Sequence, residues 1–255
     1  YLHGDNNLPV AWSSGWWSYP EKGRKVALPV FLKLLEFYDN KMLFSHLTLV
    51  TKDILQRLNI ADSQTITGIK CYLKLNTQQF LGQKITWLKY LKPITYLLDI
   101  FFNAAYSLRL LFAEKRIETK LKFEEIKHFD SDINNFIANR NSKNIIRRNT
   151  GEFEWINGFP WLLVQETEDK SIADRYYFST YAWQFQNTCY KALNSHHEIV
   201  GFIHVQIREG EMRIPYLFYN PDYLKDIHQF LKKICISKKI NVLVIYHADL
   251  CLLIK

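Results

Sequence analysis

The chain has 255 residues, 48% of them hydrophobic and 15% aromatic, with nine glycines. That is enough apolar mass for one large or two small packed domains, and it excludes a disordered chain. The formal charge of +8 is uneven: residues 1–150 hold 22 Lys/Arg against 13 Asp/Glu, and residues 151–255 hold 11 against 12.

The chain opens at Tyr1 rather than Met and reaches a strand-like run within ten residues, so its first domain is expected to be the later part of a longer one. Gly4-Asp5-Asn6-Asn7 is a turn sequence between strand-like runs and predicts a hairpin. Pro9–Tyr19, rich in Trp, Val and Tyr, reads as a strand. Alternation puts Trp12, Ser14 and Trp16 on one face and Ser13, Gly15 and Trp17 on the other. The polar turn Glu21-Lys22-Gly23-Arg24-Lys25 leads into a helix over Val26–Tyr38, with Leu28, Phe31, Leu32, Leu34, Leu35 and Tyr38 at helical spacing and Pro29 in its first turn. A second strand, Met42–Val50, runs into Thr51-Lys52-Asp53, an N-cap signal for a helix to Leu58. The basic turn sets backbone N–H groups and cations at a helix N-terminus, an arrangement suited to a phosphate or pyrophosphate. Gly68–Asn76 predicts a further strand.

Thr77–Lys92 is a polar-to-basic connector. Pro93–Phe112 is apolar nearly all round but holds Asp99, Asn103 and Arg109, so it falls short of the run of a membrane-spanning helix. Two roles fit it, a helix clamped between domains or an interfacial membrane helix, and the clamp is the expectation. Ala113–Ile126 reads as its charged, exposed continuation. Asp130-Ser131-Asp132 caps a helix through Asn139, and Asn144–Trp161 reads as another, broken at Gly158-Phe159-Pro160. Phe178–Asn194, Ile199–Arg208 and Glu211–Tyr219 predict a three-stranded antiparallel meander. Pro221-Asp222 starts a helix to about Ser237 with Leu224, Ile227, Leu231 and Ile234/Cys235 on its core face, and Asn241–His247 is a buried strand.

The basic surplus admits an acidic ligand such as CoA, an anionic lipid or nucleic acid. No RNP-like or helix-turn-helix phrase supports nucleic acid, and no Gly-x-Gly-x-x-Gly or Walker-type loop supports a nucleotide. Cys71, Cys189, Cys235 and Cys251 are far apart and sit in apolar runs, which predicts buried free thiols in a reducing, cytoplasmic setting. His196, His197 and His204 have no Cys or carboxylate at ligand spacing, so no metal is expected. Glu154 and Asp174 are carboxylates open to a base role.

The order strand, basic turn, helix, strand, helix resembles the acyl-CoA-binding half of GCN5-related N-acetyltransferases (GNAT). That family carries an Arg/Gln-x-x-Gly-x-Gly/Ala loop around the CoA pyrophosphate, here Lys22-Gly23-Arg24-Lys25-Val26-Ala27, with Lys25 at the second glycine position. The closing helical phrase is Leu55-Gln56-Arg57-Leu58-Asn59-Ile60, with Leu55 where relatives often have the tyrosine acid. The later helices, meander, helix and strand also resemble a GNAT core, but its Tyr219-Asn220-Pro221-Asp222 crossing has neither glycine nor cation. The resemblance implies an α+β chain of two GNAT-like mixed-sheet domains: residues 1–76 as the C-terminal half of an acyl-CoA-binding domain, 77–126 as a helical linker, and 127–255 as the second domain. It implies acetyl-CoA or another acyl-CoA held by Trp17, Ser18, Lys22, Gly23, Arg24, Lys25, Val26 and Ala27, and a small amine, for example an amino sugar, as acceptor. The alternatives are a non-catalytic binding or scaffold protein on the same fold, or a peripheral membrane protein docked through residues 93–112.

Overall fold

The computed structural model describes residues 2–3, 6–7, 11–13, 23–44, 49–60, 66–77, 91–114, 117–141, 147–164 and 181–254. They divide between two units, one formed by Tyr1–Ile66 with Ser142–Arg148 and Glu168–Thr180, the other by Thr67–Asn141, Asn149–Thr167 and Tyr181–Lys255.

In the first unit, β1 (Leu2–His3) and β2 (Asn6–Asn7) pair antiparallel, the expected hairpin. β3 (Ala11–Ser13) is followed by α1 (Arg24–Phe37) and β4 (Met42–Phe44), and the two strands pair in parallel, Ala11 against Met42 and Ser13 against Phe44. α2 spans Leu49–Arg57, so Thr51-Lys52-Asp53 lies inside it rather than at its cap. Phe31 and Leu35, one helical turn apart on α1, meet Leu55 of α2 in a small buried cluster flanked by Met42, Phe44 and Ile60. Of the six apolar positions expected to form the core face of α1, Leu28, Leu32, Leu34 and Tyr38 are exposed. Pro29 sits inside the helix, past its first turn. Both helices end in a left-handed residue, α1 at Asp39 and Asn40 and α2 at Asn59. Asn40 and Ile60 then donate their N–H groups back to the carbonyls of Leu35 and Leu55. Asn tolerates this conformation because its short polar side chain offsets part of the steric cost.

The second unit is a six-stranded mixed sheet in the order β5 (Ile69–Tyr72), β12 (Val242–Ile245), β11 (Glu211–Tyr219), β10 (Ile199–Arg208), β9 (Phe185–Leu193), β6 (Lys122–Glu125). β9, β10 and β11 form the expected antiparallel meander. The β10–β11 turn is Glu209-Gly210, both with positive φ as a two-residue hairpin requires. A Cβ on Gly210 would also lie 2.5 Å from the Asn241 amide. β12 is parallel to β11 and antiparallel to β5, and a separate parallel pair is formed by β7 (Leu163–Val164) and β8 (Tyr181–Ala182).

Both edge strands correct the expected boundaries. Gly68–Asn76, assigned to the close of the first domain, supplies β5 to this sheet, and Lys122–Glu125, assigned to an exposed helical linker, is β6. The intervening helix α3 ends at Glu114. The pattern that marks Gly68–Asn76 as a strand does not name its partner, and the four residues of β6 carry too few alternations to be read as a strand at all. The edge at β6 is secured by Phe123, whose ring stacks on Phe230 at 3.8 Å.

One sheet face packs on α6 (Leu224–Ser237), which buries Ile227, Leu231, Ile234 and Cys235 as its spacing predicts, and on the short α7 (Ala248–Ile254) through Leu250 and Cys251. The other face packs on α4 (Ser131–Asn141) and α5 (Thr150–Gly158), with Ile133, Ile137, Phe153 and Phe202 at its centre. Asp130 caps α4 through the N–H of Ile133, and Asn149 with Glu152 forms a reciprocal capping box on α5. α5 therefore begins at Thr150, inside the longer helix expected from Asn144. α3 (Lys92–Glu114) packs against α6 of the same unit, but not in the way expected. Its polar residues face the protein, and Leu97, Phe101 and Leu108 among others are exposed.

Candidate functional site

The first candidate is the basic turn. Trp17, Ser18 and Lys22 lie outside the described residues. Gly23 is the N-cap of α1, at φ −81°, ψ −21°, a conformation open to any residue, so the glycine's freedom is not used here. Val26 and Ala27 direct their N–H groups to the Gly23 carbonyl, at 3.0 and 2.8 Å. Those two amides are therefore spent within the helix. By helix geometry the amides of Arg24 and Lys25 have no acceptor within the helix. Lys25 is exposed, and the first turn of α1 contains no carboxylate. Parallel β3 and β4 on either side of α1 complete a strand–helix–strand unit whose helix entry is positively charged by dipole and side chains alike.

The second candidate emerges only in three dimensions. β11 and β12 pair from Glu211/Val242 to Arg213/Val244 and then separate, although β11 runs on to Tyr219. The separation coincides with a β-bulge: His204 pairs with Tyr216 and Gln206 with Arg213, so Ile214 and Pro215 together oppose Val205. A bulge bends its strand and sharpens the local twist, which turns β11 away from β12. Pro215, with no N–H to give a ladder, belongs at such a place.

Three side chains meet beyond the opening. The Tyr219 hydroxyl, at the end of β11, donates a short hydrogen bond to the Asp249 carboxylate on α7, and the ring of His247, just past β12, lies edge-on to Tyr219 at 5.3 Å. Burial, and then the neighbouring Asp249, push the Tyr219 phenol well above the ordinary tyrosine value. Burial also holds His247 below the ordinary histidine value against the opposing pull of Asp249, so its imidazole is neutral near pH 7. Its Nδ1 is buried without a hydrogen-bond partner among the described residues. The group thus offers a neutral base, a carboxylate and a phenol that fixes the carboxylate in place. Tyr219 and His247 are legible in the sequence as strand ends, but nothing in it pairs them.

The helix entry beside this group is unlike that of α1. Asn220 caps a 3-10 turn at Pro221–Tyr223 that runs into α6, with Asp222 and Asp226 in the opening turns. Asp226 accepts the Lys120 N–H at 2.8 Å.

A cavity of about 570 Å³ lies at the opposite, N-terminal end of β11 and β12, lined in part by Lys70, Lys74, Arg208, Glu209, Glu211 and Arg213. Nine strand residues separate it from Tyr219 by roughly 25 Å. Four cations line it against two carboxylates: Glu211 holds both Arg213, at 2.7 Å, and Lys70, at 3.3 Å, and Arg208 lies 3.9 Å from Glu209. Of the remaining residues singled out, His204 is buried and stacked on Tyr216, His196 and His197 are exposed in a hairpin tip, Glu154 is exposed, and Asp174 lies outside the described residues. Among the described residues no group of three His, Cys, Asp or Glu could hold a metal ion.

No family model and no curated protein sequence matches the chain. Solved structures similar to it include L-PGS from Bacillus licheniformis (10% identity, TM-score 0.37, covering 88% of this chain and 57% of that one). Saccharomyces cerevisiae N-myristoyltransferase with bound myristoyl-CoA is another (11% identity, TM-score 0.28, 50% of this chain and 32% of that one). A functionally unknown conserved protein from Staphylococcus epidermidis is a third (9% identity, TM-score 0.31, 84% of this chain and 68% of that one). The chain thus spans less than two thirds of the first two. None of these likenesses carries the reading of function, which rests on the residues.

Proposed function

We propose that the chain is a GNAT-type acyltransferase that moves an acyl group from an acyl-CoA thioester to a small amine, with an amino sugar as one acceptor class. The observation that carries this reading is β3–α1–β4: parallel strands around a helix whose entry, Gly23-Arg24-Lys25, has two cationic residues, amides without an acceptor in the helix and no carboxylate in its first turn. The donor's pyrophosphate is assigned to Lys22–Ala27, and the donor's arm to the strand side at Trp17 and Ser18. Lys25 stands inside a regular helical turn, so the lack of glycine there imposes no strained backbone.

Calorimetry of acetyl-CoA and desulfo-CoA on the chain tests it. Micromolar to millimolar binding that weakens with salt and with Arg24→Glu/Lys25→Glu is the expected result. No heat at millimolar ligand with the fold intact overturns donor binding, and binding without turnover over a panel of amines leaves a binding protein on the same fold.

A second reading has its own observation, the Tyr219–Asp249 bond beside the unpartnered Nδ1 of His247. Here the second unit by itself binds a small amine past the ends of β11 and β12: Asp249 pairs with the ammonium, Tyr219 positions Asp249, and neutral His247 accepts the ammonium proton. His247→Asn then lowers kcat, and Tyr219→Phe chiefly raises KM. Donor affinity unchanged in both variants separates this role from that of the turn.

A further inference from the structure

The helix α3 is built inside out. Its polar residues Thr95, Asp99 and Asn103 recur every fourth position and face the protein. Thr95 is buried. Asp99 accepts from both the N–H and the hydroxyl of Thr77, at 2.8 and 2.5 Å. Asn103 takes the Leu75 N–H and returns its amide to the Leu75 carbonyl, each at 2.8 Å, as a strand neighbour would. The opposite face is apolar and open: Ile94 is 54% exposed, Leu97 66%, Phe101 69% and Leu108 59%, with Leu98 and Phe102 about half exposed. A globular helix ordinarily shows the reverse arrangement, and an open apolar face of this extent marks a docking site.

We propose that α3 seats the second unit on an anionic membrane surface, lying in the plane of the headgroups with Leu97 and Phe101 inserted. The charges around it select this occupant. α6, against which α3 packs, carries exposed Lys225 and Lys232, and exposed Lys238 and Lys239 follow it; exposed Lys120 precedes β6 and exposed Lys122 opens it. An apolar ridge with lysines beside it meets acyl chains below and lipid phosphates at its margin. A second copy of the chain would instead bring two basic margins together. Tyr96 and Tyr106, both exposed, suit the boundary between apolar and hydrated layers. No helix among the described residues is long and apolar enough to cross a membrane, and the satisfied Asp99 and Asn103 keep α3 at the surface. The docking is independent of acyl transfer.

The test is flotation of the full chain with vesicles of mixed phosphatidylcholine and phosphatidylglycerol, against vesicles of phosphatidylcholine alone. Flotation with the mixed vesicles, release by added salt, and at least tenfold weaker binding to the neutral ones are expected. Leu97→Glu/Phe101→Glu, at exposed positions where the fold is retained by circular dichroism, loses at least tenfold more. Three results overturn the proposal: no flotation with either vesicle, flotation unaffected by the double variant, or a vesicle-free dimer that the double variant dissociates.

Discussion

The segments β3–α1–β4 and β11–α6–β12 share one arrangement, a strand, a helix and a second strand parallel to the first, and they differ at the helix entry. α1 opens with Arg24 and Lys25 and no carboxylate, whereas α6 is entered through Asp222 and has Asp226 in its first turn. The helix dipole is the same in both, so the side chains decide whether the entry attracts or repels an anion. Burial differs too. α6 commits four residues to the main core and α1 commits two to a small one. The better-anchored segment ends beside Tyr219, His247 and Asp249, and the lightly anchored one has a cationic helix entry.

The largest effect that can break this comparison is on stability. Ile227→Ala is expected to destabilise the second unit by about 2–5 kcal/mol, since Ile227 is fully buried in a packed cluster. Leu35→Ala is expected to cost less, about 1–2 kcal/mol, because its half-exposed neighbours can collapse into the space. Equal shifts in urea titrations followed by circular dichroism would show that the two cores are not of different weight.

Next comes ligand binding. Arg24→Glu/Lys25→Glu should weaken acetyl-CoA by roughly thirtyfold, at about 1 kcal/mol for each reversed charge. Asp222→Lys, at the acidic entry, should leave it unchanged. A loss with Asp222→Lys would move the donor to α6.

A smaller effect lies in pH dependence. His247 is lowered by burial, so the unfolded chain takes its proton at higher pH than the folded one does. Its contribution to stability is therefore full above the unfolded value of about 6.5 and falls as pH drops through it, with a limiting slope of about 1.4 kcal/mol per pH unit. His247→Asn should flatten the decline of the melting midpoint between pH 7 and 5, while His228, also lowered by burial, keeps part of it. An unchanged slope would show His247 to be solvated.

The mildest probe is thiol labelling, since all four cysteines are free and belong to the second unit. Half-buried Cys71 should react with maleimide in the native chain. Cys189, pushed up to about 11, and Cys235, pushed up to about 12, should stay protected until that unit opens. Early labelling of Cys235 would show that the sheet is less firmly closed than its packing implies.

Local chemistry made much of this legible. The meander, the cap at Asp130 and the four buried positions of α6 all follow from side-chain period and short-range hydrogen bonding, which a linear sequence carries whole. The basic turn was legible for the same reason, since cations next to a helix start are neighbours in the chain.

The sequence by itself determined the long helices and the meander, their order and the sign of charge at the entries of α1 and α6. Tertiary structure alone decided which distant segments pair. β5 and β6 are too short to declare a sheet, and they become its edges only because β12 and β9 offer open ladders, β12 from more than 150 residues away. Tyr219 and Asp249 meet only because β11 and β12 are parallel and in register until a bulge parts them. For α3, apolar nearly all round, composition left the inward face open. The backbone of Leu75 and Thr77 settled it, because Asn103 and Asp99 could satisfy those groups only by turning toward them, and that turned the leucines and phenylalanines outward.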